Sequence, residues 1–296
     1  MMRIPFAKMV GTGNDFVVVD ARHRPLVRLA KAWPLVSRAA CNRRTGIGAD
    51  GLLVLEPSRV AQIRMRVFNP DGSEADMCGN GARCVALYLR NGARGEGRGA
   101  RGRPVTIETK AGVLSGAVRG HRVAMRMMDP TGLKLNHPLK ADRGRRRIGF
   151  INTGVPHAVV PVERLDDVDV ERLGRVLRYH RSFLPGGANV DFIQPDPHRK
   201  QYLRVRTYER GVEGETLACG TGVAASAILQ TLWQERRGRG NGALRRREAK
   251  VETRSGDVLA VSFAVTGHGR DVRVTDLVLE GGASLVFRGE ISWPLR

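Results

Sequence analysis

Short apolar runs broken by turn residues dominate the chain, and few segments carry a helical period. Residues 4–9, 16–20 and 52–55 read as strands, and 62–68 alternates apolar with polar side chains as a half-buried strand does. The turn Gly11-Thr12-Gly13-Asn14 joins the first two of these runs. Residues 26–41 space Leu26, Leu29, Ala30 and Trp33 as a helix would, with a break or fresh start at Pro34. A second helix is predicted from Gly81 to a C-cap at Asn91-Gly92. Strands at 105–110, 113–118 and 122–127 follow. The order then repeats: strands at 148–152 and 158–162, an amphipathic helix over 166–183, and strands at 190–193 and 202–208. A helix after Cys219 comes next, then strands at 250–254, 258–265 and 271–279. The last run, 284–293, has no counterpart within the repeat and is expected to return to the sheet of the first half.

Two stretches organise the rest: Met77-Cys78-Gly79-Asn80-Gly81 and Ala218-Cys219-Gly220-Thr221-Gly222. Each sets a cysteine before a Gly-x-Gly turn that opens an apolar helix. The cysteines lie 141 positions apart (219 − 78), and at the same offset Thr12-Gly13 maps onto Thr153-Gly154, Asp50 onto Asp191 and Glu74 onto Glu215. Beyond the helices, Glu108 to Gly112 answers Glu252 to Gly256 at an offset of 144 (252 − 108), so the second half has gained residues there. A period this long exceeds any solenoid unit and implies two copies of one domain. The expected architecture is α/β (α+β): two pseudo-symmetric domains, 1–129 with 280–296 and 130–279. Each wraps a barrel-like mixed sheet around its cysteine-headed helix, with an active site in the cleft between them.

Composition narrows the class. A chain of 296 residues with 42% hydrophobic content has room for two cores. Apolar runs are too short for a membrane span, and the N-terminus lacks a signal-peptide core, so a cytoplasmic address is expected. Four cysteines without an export signal read as reduced thiols, and their spacing is wrong for a zinc site. The net charge of +21 raises the question of nucleic acid. Its arginines, however, concentrate in Gly/Arg stretches at 93–103, 143–147 and 236–247, read as solvated loops without interleaved aromatics. Neither nucleic acid nor membrane is therefore expected as a partner.

A cysteine at a helix N-terminus is favoured as the thiolate by free N–H groups and the macrodipole. Two such cysteines, one thiol and one thiolate, match a reaction that removes a proton from one face of a carbon and returns one to the other. General acid/base catalysis supplies about 10²–10⁴-fold, so an amino-acid α-carbanion needs more. The amides of Gly79, Asn80, Gly220 and Thr221 are placed to hold a substrate carboxylate. Glu209 suits a substrate ammonium, with Arg210 as its alternative mate. No lysine has a pyridoxal-phosphate context, and no cofactor is called for. Cys41 and Cys84 read as core. Asn14, Asn69 and Asn189 sit at turns where local hydrogen bonding is common, and His157 at a strand start reads by default as solvated or hydrogen-bonded.

With these residues laid out, the chain resembles the diaminopimelate epimerases, cofactor-independent enzymes that interconvert LL- and meso-2,6-diaminopimelate in lysine and peptidoglycan biosynthesis. The likeness runs nearly the full length. It is carried by Phe68 to Glu74 leading into Met77 to Gly81, and by Tyr208 to Gly211 leading into Glu215-Thr216 and Ala218 to Gly222. Gly13-Asn14-Asp15-Phe16, Pro156-His157-Ala158-Val159 and Asn189-Val190 complete it. The resemblance implies that Cys78 and Cys219 are the acid/base pair. The amides of Gly79-Asn80 and Gly220-Thr221 would hold the reacting carboxylate. Asn69, Glu209 and the Arg210 carbonyl would bind the reacting amine, and Asn14, Asn189 and the Arg210 guanidinium the distal end. His157 joins the substrate-binding set, and a homodimer is common. Two positions depart from some members: Val155 stands where they have asparagine, and Gly51 where they have glutamine. Competing readings are a two-thiol racemase of proline or hydroxyproline, a phenazine-type isomerase using one carboxylate, and a basic nucleic-acid binder.

Overall fold

The computed structural model describes residues 1–22, 25–92, 104–141, 144–235, 243–267 and 271–294. The chain divides into two compact units, Met1–Met125 with Gly281–Arg296, and Arg126–Glu280.

In the first unit the strands Met2–Gly11 and Asn14–Asp20 form an antiparallel hairpin. Asn14–Asp20 pairs in parallel with Gly51–Glu56, which pairs antiparallel with Ile63–Phe68. A parallel pair needs a crossover, and α1 (Trp33–Cys41) lies within it. Pro34 falls in its first turn, where a missing N–H costs nothing, so the predicted break is a fresh start after a 3-10 turn at Leu26–Leu29. Ile63–Phe68 pairs in parallel with Val105–Thr109, and α2 (Gly79–Asn91) is on that crossover. The run Ser284–Trp293 pairs antiparallel with Met2–Gly11, returning to the first unit as its pattern implied.

Alternate residues of these strands feed two cores. Phe16, Val18, Leu53 and Leu55 pack with Val85, Ala86 and Leu87 of α2. Val17, Val19, Leu52 and Val54 pack with Trp33 and Val36 of α1. The sheet thus has a helix on each face, which is why its parallel strands are apolar throughout.

The second unit repeats the plan. Gly144–Asn152 and Pro156–Pro161 pair antiparallel, and Pro156–Pro161 runs parallel to Asn189–Pro195 with α3 (Val170–Arg178) between them in sequence. Tyr202–Glu209 runs parallel to Arg245–Glu252 across α4 (Gly220–Glu235). Every residue from Gly222 to Leu232 of α4 is buried, and strand side chains such as Ile151, Ile193, Val205, Val251 and Val261 surround it. A helix apolar all round is a core helix, here enclosed by its own sheet. Both units also carry the same fork: Arg66 grips Glu74 through Nε (2.8 Å) and Nη2 (3.0 Å), and Arg206 grips Glu215 likewise (2.7 and 2.8 Å).

Three expectations are corrected. The helix expected over 166–183 is only Val170–Arg178, because Asp169 accepts from the Arg172 N–H (3.0 Å) and caps it late. A separate 3-10 turn, Arg181–Phe183, follows. Residues 144–147 are not loop but the start of Gly144–Asn152, in a hairpin with an unforeseen strand, Thr131–Ala141. Arg245 to Arg247 likewise open the strand Arg245–Glu252, whose alternation places Arg245 and Arg247 against Glu235 at the end of α4. The Gly/Arg stretches at 93–103 and 236–242 lie outside the described residues.

Candidate active site

Cys78 is the N-cap of α2, with extended backbone and its Sγ accepting from the Gly81 N–H (3.4 Å). Behind it runs a chain of side-chain amides. Arg83, fully buried, donates from Nη2 to Asn80 Oδ1 (2.7 Å) and to Thr12 Oγ1 (2.6 Å). Asn80 Nδ2 donates to Asn14 Oδ1 (2.6 Å), and Asn14 Nδ2 donates to Asp50 Oδ2 (2.9 Å). Asn14 is therefore engaged far beyond its own turn, and Cys78, Gly79, Asn80 and Asn14 form one cluster. Asn69 stands apart in its turn, exposed and donating to Ser73 Oγ (2.9 Å). Its side chain makes the local contact expected of a turn asparagine, and its carbonyl accepts from Ser37 Oγ of α1 (2.8 Å).

The second unit builds a matching cluster at α4. Cys219 is 7% exposed, and its Sγ lies 3.3 Å from Thr221 Oγ1. Thr221 Oγ1 meets His157 Nε2 at 2.9 Å, and His157 Nδ1 meets Asp191 Oδ2 at 2.7 Å. The carboxylate accepts the Nδ1–H hydrogen bond, and in the neutral imidazole Nε2 then accepts from the threonine hydroxyl, whose oxygen faces the thiol. His157 is wholly buried, so the solvated alternative does not hold. Asn189 approaches the same Nε2 (3.4 Å) and accepts the Arg210 backbone N–H through Oδ1 (2.6 Å). A glycine at 222 is required here: a Cβ would strike the Asp191 carboxylate and come within 3.3 Å of the His157 ring.

Electrostatics separate the thiols. Burial pushes Cys84 up to about 12, and burial also raises Cys41, so both stay as inert core thiols. Cys219 is raised well above the ordinary thiol value, first by burial and then by the Glu209 and Asp191 carboxylates. The helix N-terminus predicted a stabilised thiolate there. Loss of water around the sulfur and two nearby negative groups outweigh the dipole. Glu209 is itself raised, chiefly by burial. The alternative that Arg210 pairs with it fails, because the Arg210 guanidinium turns to the Gly186 carbonyl (3.5 Å). Among the described residues no cation pairs with Glu209.

Sequence reasoning passed over Asp191, Asp50, Arg83 and Arg178 as functional residues. The signal for the two aspartates was present, since they coincide at the 141-residue offset (191 − 50). Each anchors its unit's polar chain, Asp50 through Asn14 and Asp191 through His157.

The sequence profile of the diaminopimelate epimerases matches twice, over residues 6–132 and 149–276. The chain belongs to the diaminopimelate epimerase family. Members of this family are isomerases, and the two matched segments correspond to the two repeated halves. The diaminopimelate epimerase of Aquifex aeolicus is 40% identical over 296 residues, covering 97% of each chain. That of Methanocella arvoryzae is 39% identical over 305 residues, covering 98% of each. Among solved structures, a Bacillus anthracis phenazine biosynthesis protein superposes with a TM-score of 0.70 at 21% identity, covering 99% of this chain and 100% of its own. A probable proline racemase from Agrobacterium radiobacter gives 0.69 at 17%, covering 98% and 93%. At such identities these two show that the fold is shared and no more. No described helix is long and apolar enough to cross a membrane.

Proposed function

We propose that this protein interconverts LL- and meso-2,6-diaminopimelate, with Cys78 and Cys219 exchanging the α-proton, as a cytoplasmic homodimer serving lysine and peptidoglycan biosynthesis. The observation that carries the chemistry is that each unit presents a cysteine at the head of its central helix, backed by a buried polar chain. Burial and two carboxylates favour the thiol form of Cys219, so in this direction Cys219 is the proton donor and Cys78 the base. It takes the α-proton as Cys219 delivers its own to the same carbon. In the reverse direction the roles exchange, as a near-symmetric substrate pair requires.

The amides of Gly79, Asn80, Gly220 and Thr221 receive the carboxylate onto which the carbanion charge spreads. Their free donors are those of a helix's first turn, which have no intrahelical partner. Glu209, half-buried and with no cation paired to it among the described residues, receives the reacting ammonium, helped by Asn69 and the Arg210 carbonyl. A charged substrate amine favours the ionised carboxylate and offsets the cost of its burial. Asn14, Asn189 and the Arg210 guanidinium hold the distal end, and His157 acts behind Thr221 rather than on the substrate directly.

The test is α-proton exchange of LL-diaminopimelate in deuterated water under reducing conditions. Exchange with inversion is expected for the wild type and is expected to vanish in both Cys78→Ala and Cys219→Ala. Retained inversion in either variant would remove that cysteine from the mechanism. No exchange in the wild type would move the substrate to another amino acid.

A further inference from the structure

We infer that Arg178 is a positioning residue for Arg210, and through it a determinant of how tightly the distal end of the substrate is held. The inference rests on the reading above that Arg210 meets that end. Arg178 is the last residue of α3, and the helix is seated by Val170 and Leu177 in the core. The residue is 9% exposed, and a guanidinium so placed has to find acceptors. It finds them on both segments that frame Arg210. Nη1 donates to the Gly186 carbonyl (3.0 Å), the same oxygen that Arg210 Nη1 approaches at 3.5 Å. Nε and Nη2 reach Glu213 Oε1 at 3.2 and 3.1 Å. That carboxylate oxygen also accepts the Gly211 N–H (3.1 Å), next in sequence to Arg210.

The local backbone is shaped around this contact. Gly187 has φ +68°, and a Cβ there would collide with Arg178 Nη1. Only glycine allows the loop to close over the guanidinium. Glu213 itself sits at φ +57°, a conformation that non-glycine side chains rarely adopt, held by its N–H to the Glu209 carbonyl (2.8 Å). One side chain therefore ties the loop before Asn189 to the turn after Glu209.

The first unit uses the same device at the matching turn. Arg38 of α1 donates from Nε to the Asp71 carbonyl (2.6 Å), and a Cβ on Gly72, at φ +82°, would meet Arg38 Nε at 2.9 Å. That turn carries Asn69. Residues 72 and 213 stand at the 141-residue offset (213 − 72), so the left-handed residue and the arginine beside it recur together. A helix arginine bracing the turn ahead of each cysteine is thus part of the repeated plan.

The experiment compares Arg178→Gln with wild type in steady state, alone and in an Arg210→Met background. Losing a charged brace is expected to raise KM for LL-diaminopimelate about tenfold or more while kcat stays within about twofold. In the Arg210→Met background the Arg178 change is expected to have no further effect on KM, because it acts through the residue already removed. An equal KM increase in both backgrounds, or a fall in kcat at constant KM, overturns the inference. Should Arg178→Gln fail to fold, Arg178→Lys keeps a cationic donor and is measured in its place. Hydrogen exchange provides an arm independent of turnover. The amides of Gly187 and Gly211 are expected to exchange at least about fivefold faster in the variant, with α4 unchanged, and equal rates overturn the inference. Wild-type enzyme inert toward LL-diaminopimelate would instead count against the proposed substrate, leaving hydrogen exchange to decide the role of Arg178.

Discussion

At the scale of single residues, the cysteines were legible in the sequence but their ionisation was not. A thiol heading a helix reads as an anion site, and the motif around Cys219 carries no mark of the two carboxylates beside it. Glu209 precedes it by ten positions and Asp191 by 28 (219 − 191), and only folding brings their charges to bear on the sulfur. A direct consequence can be measured. In a Cys78→Ala background, iodoacetamide is expected to modify Cys219 slowly at neutral pH, faster as the pH rises, because the thiolate is the nucleophile. Glu209→Gln removes a negative neighbour, so it lowers the Cys219 pKa and speeds modification at any pH below it. Mass spectrometry of the labelled peptide reads the rate, and slower labelling in Glu209→Gln would contradict the electrostatic account. His157 shows the other limit of sequence reading. Its place at a strand start left solvent or a hydrogen bond open, and the buried Asp191–His157–Thr221 chain decides the matter.

At the scale of elements, hydrophobic patterning located most strands and the four α-helices among the described residues, since most strands face a helix on one or both sides. It failed where composition misled. Arginine-rich 144–147 and 245–247 look like solvated loops, yet a strand needs only every second side chain inward, and both stretches pair in register. It also ran the third helix too long, because nothing in the apolar spacing reveals that Asp169 caps it late. The helix heads carry the finest packing constraint. Gly222 lies against Asp191 Cγ and His157 Cε1, at 3.1 and 3.3 Å from where a Cβ would stand. Gly222→Ala is therefore expected to cost about 1–3 kcal/mol, as overpacking does. It should also impair proton exchange more than an alanine elsewhere in α4, because it displaces the pair behind Thr221. Thermal unfolding and α-proton exchange together check this, and a variant with wild-type values for both would show that the pair has room to move.

At the scale of the whole molecule, the repeat was the most informative feature of the sequence, because one offset relates the cysteines, the turns and the aspartates. The bulk charge was the least informative. A net charge of +21 says little about how its arginines are spent, and many are tied into the sheet. The Arg66–Glu74 fork is one such tie, extended by Lys110 Nζ at 3.1 Å. Hydrogen bonding from Arg66 leads the causes that lower the Glu74 carboxyl to about 2 from an ordinary 4.5. A carboxyl whose pKa is depressed by folding binds protons more readily when unfolded. Its contribution is thus complete above about pH 4.5 and is lost as the pH falls toward about 2. With the side chain 19% exposed and solvent screening the pair, that contribution is on the order of 1–2 kcal/mol. Glu74→Gln is expected to unfold more easily than wild type at pH 7 by about that amount, and the two stabilities should converge as the pH drops through this window. Denaturant melts at a series of pH values test it. A gap that stays constant down to about pH 2.5 would mean that the ionised Glu74 carboxylate is not what the fork's stabilisation depends on.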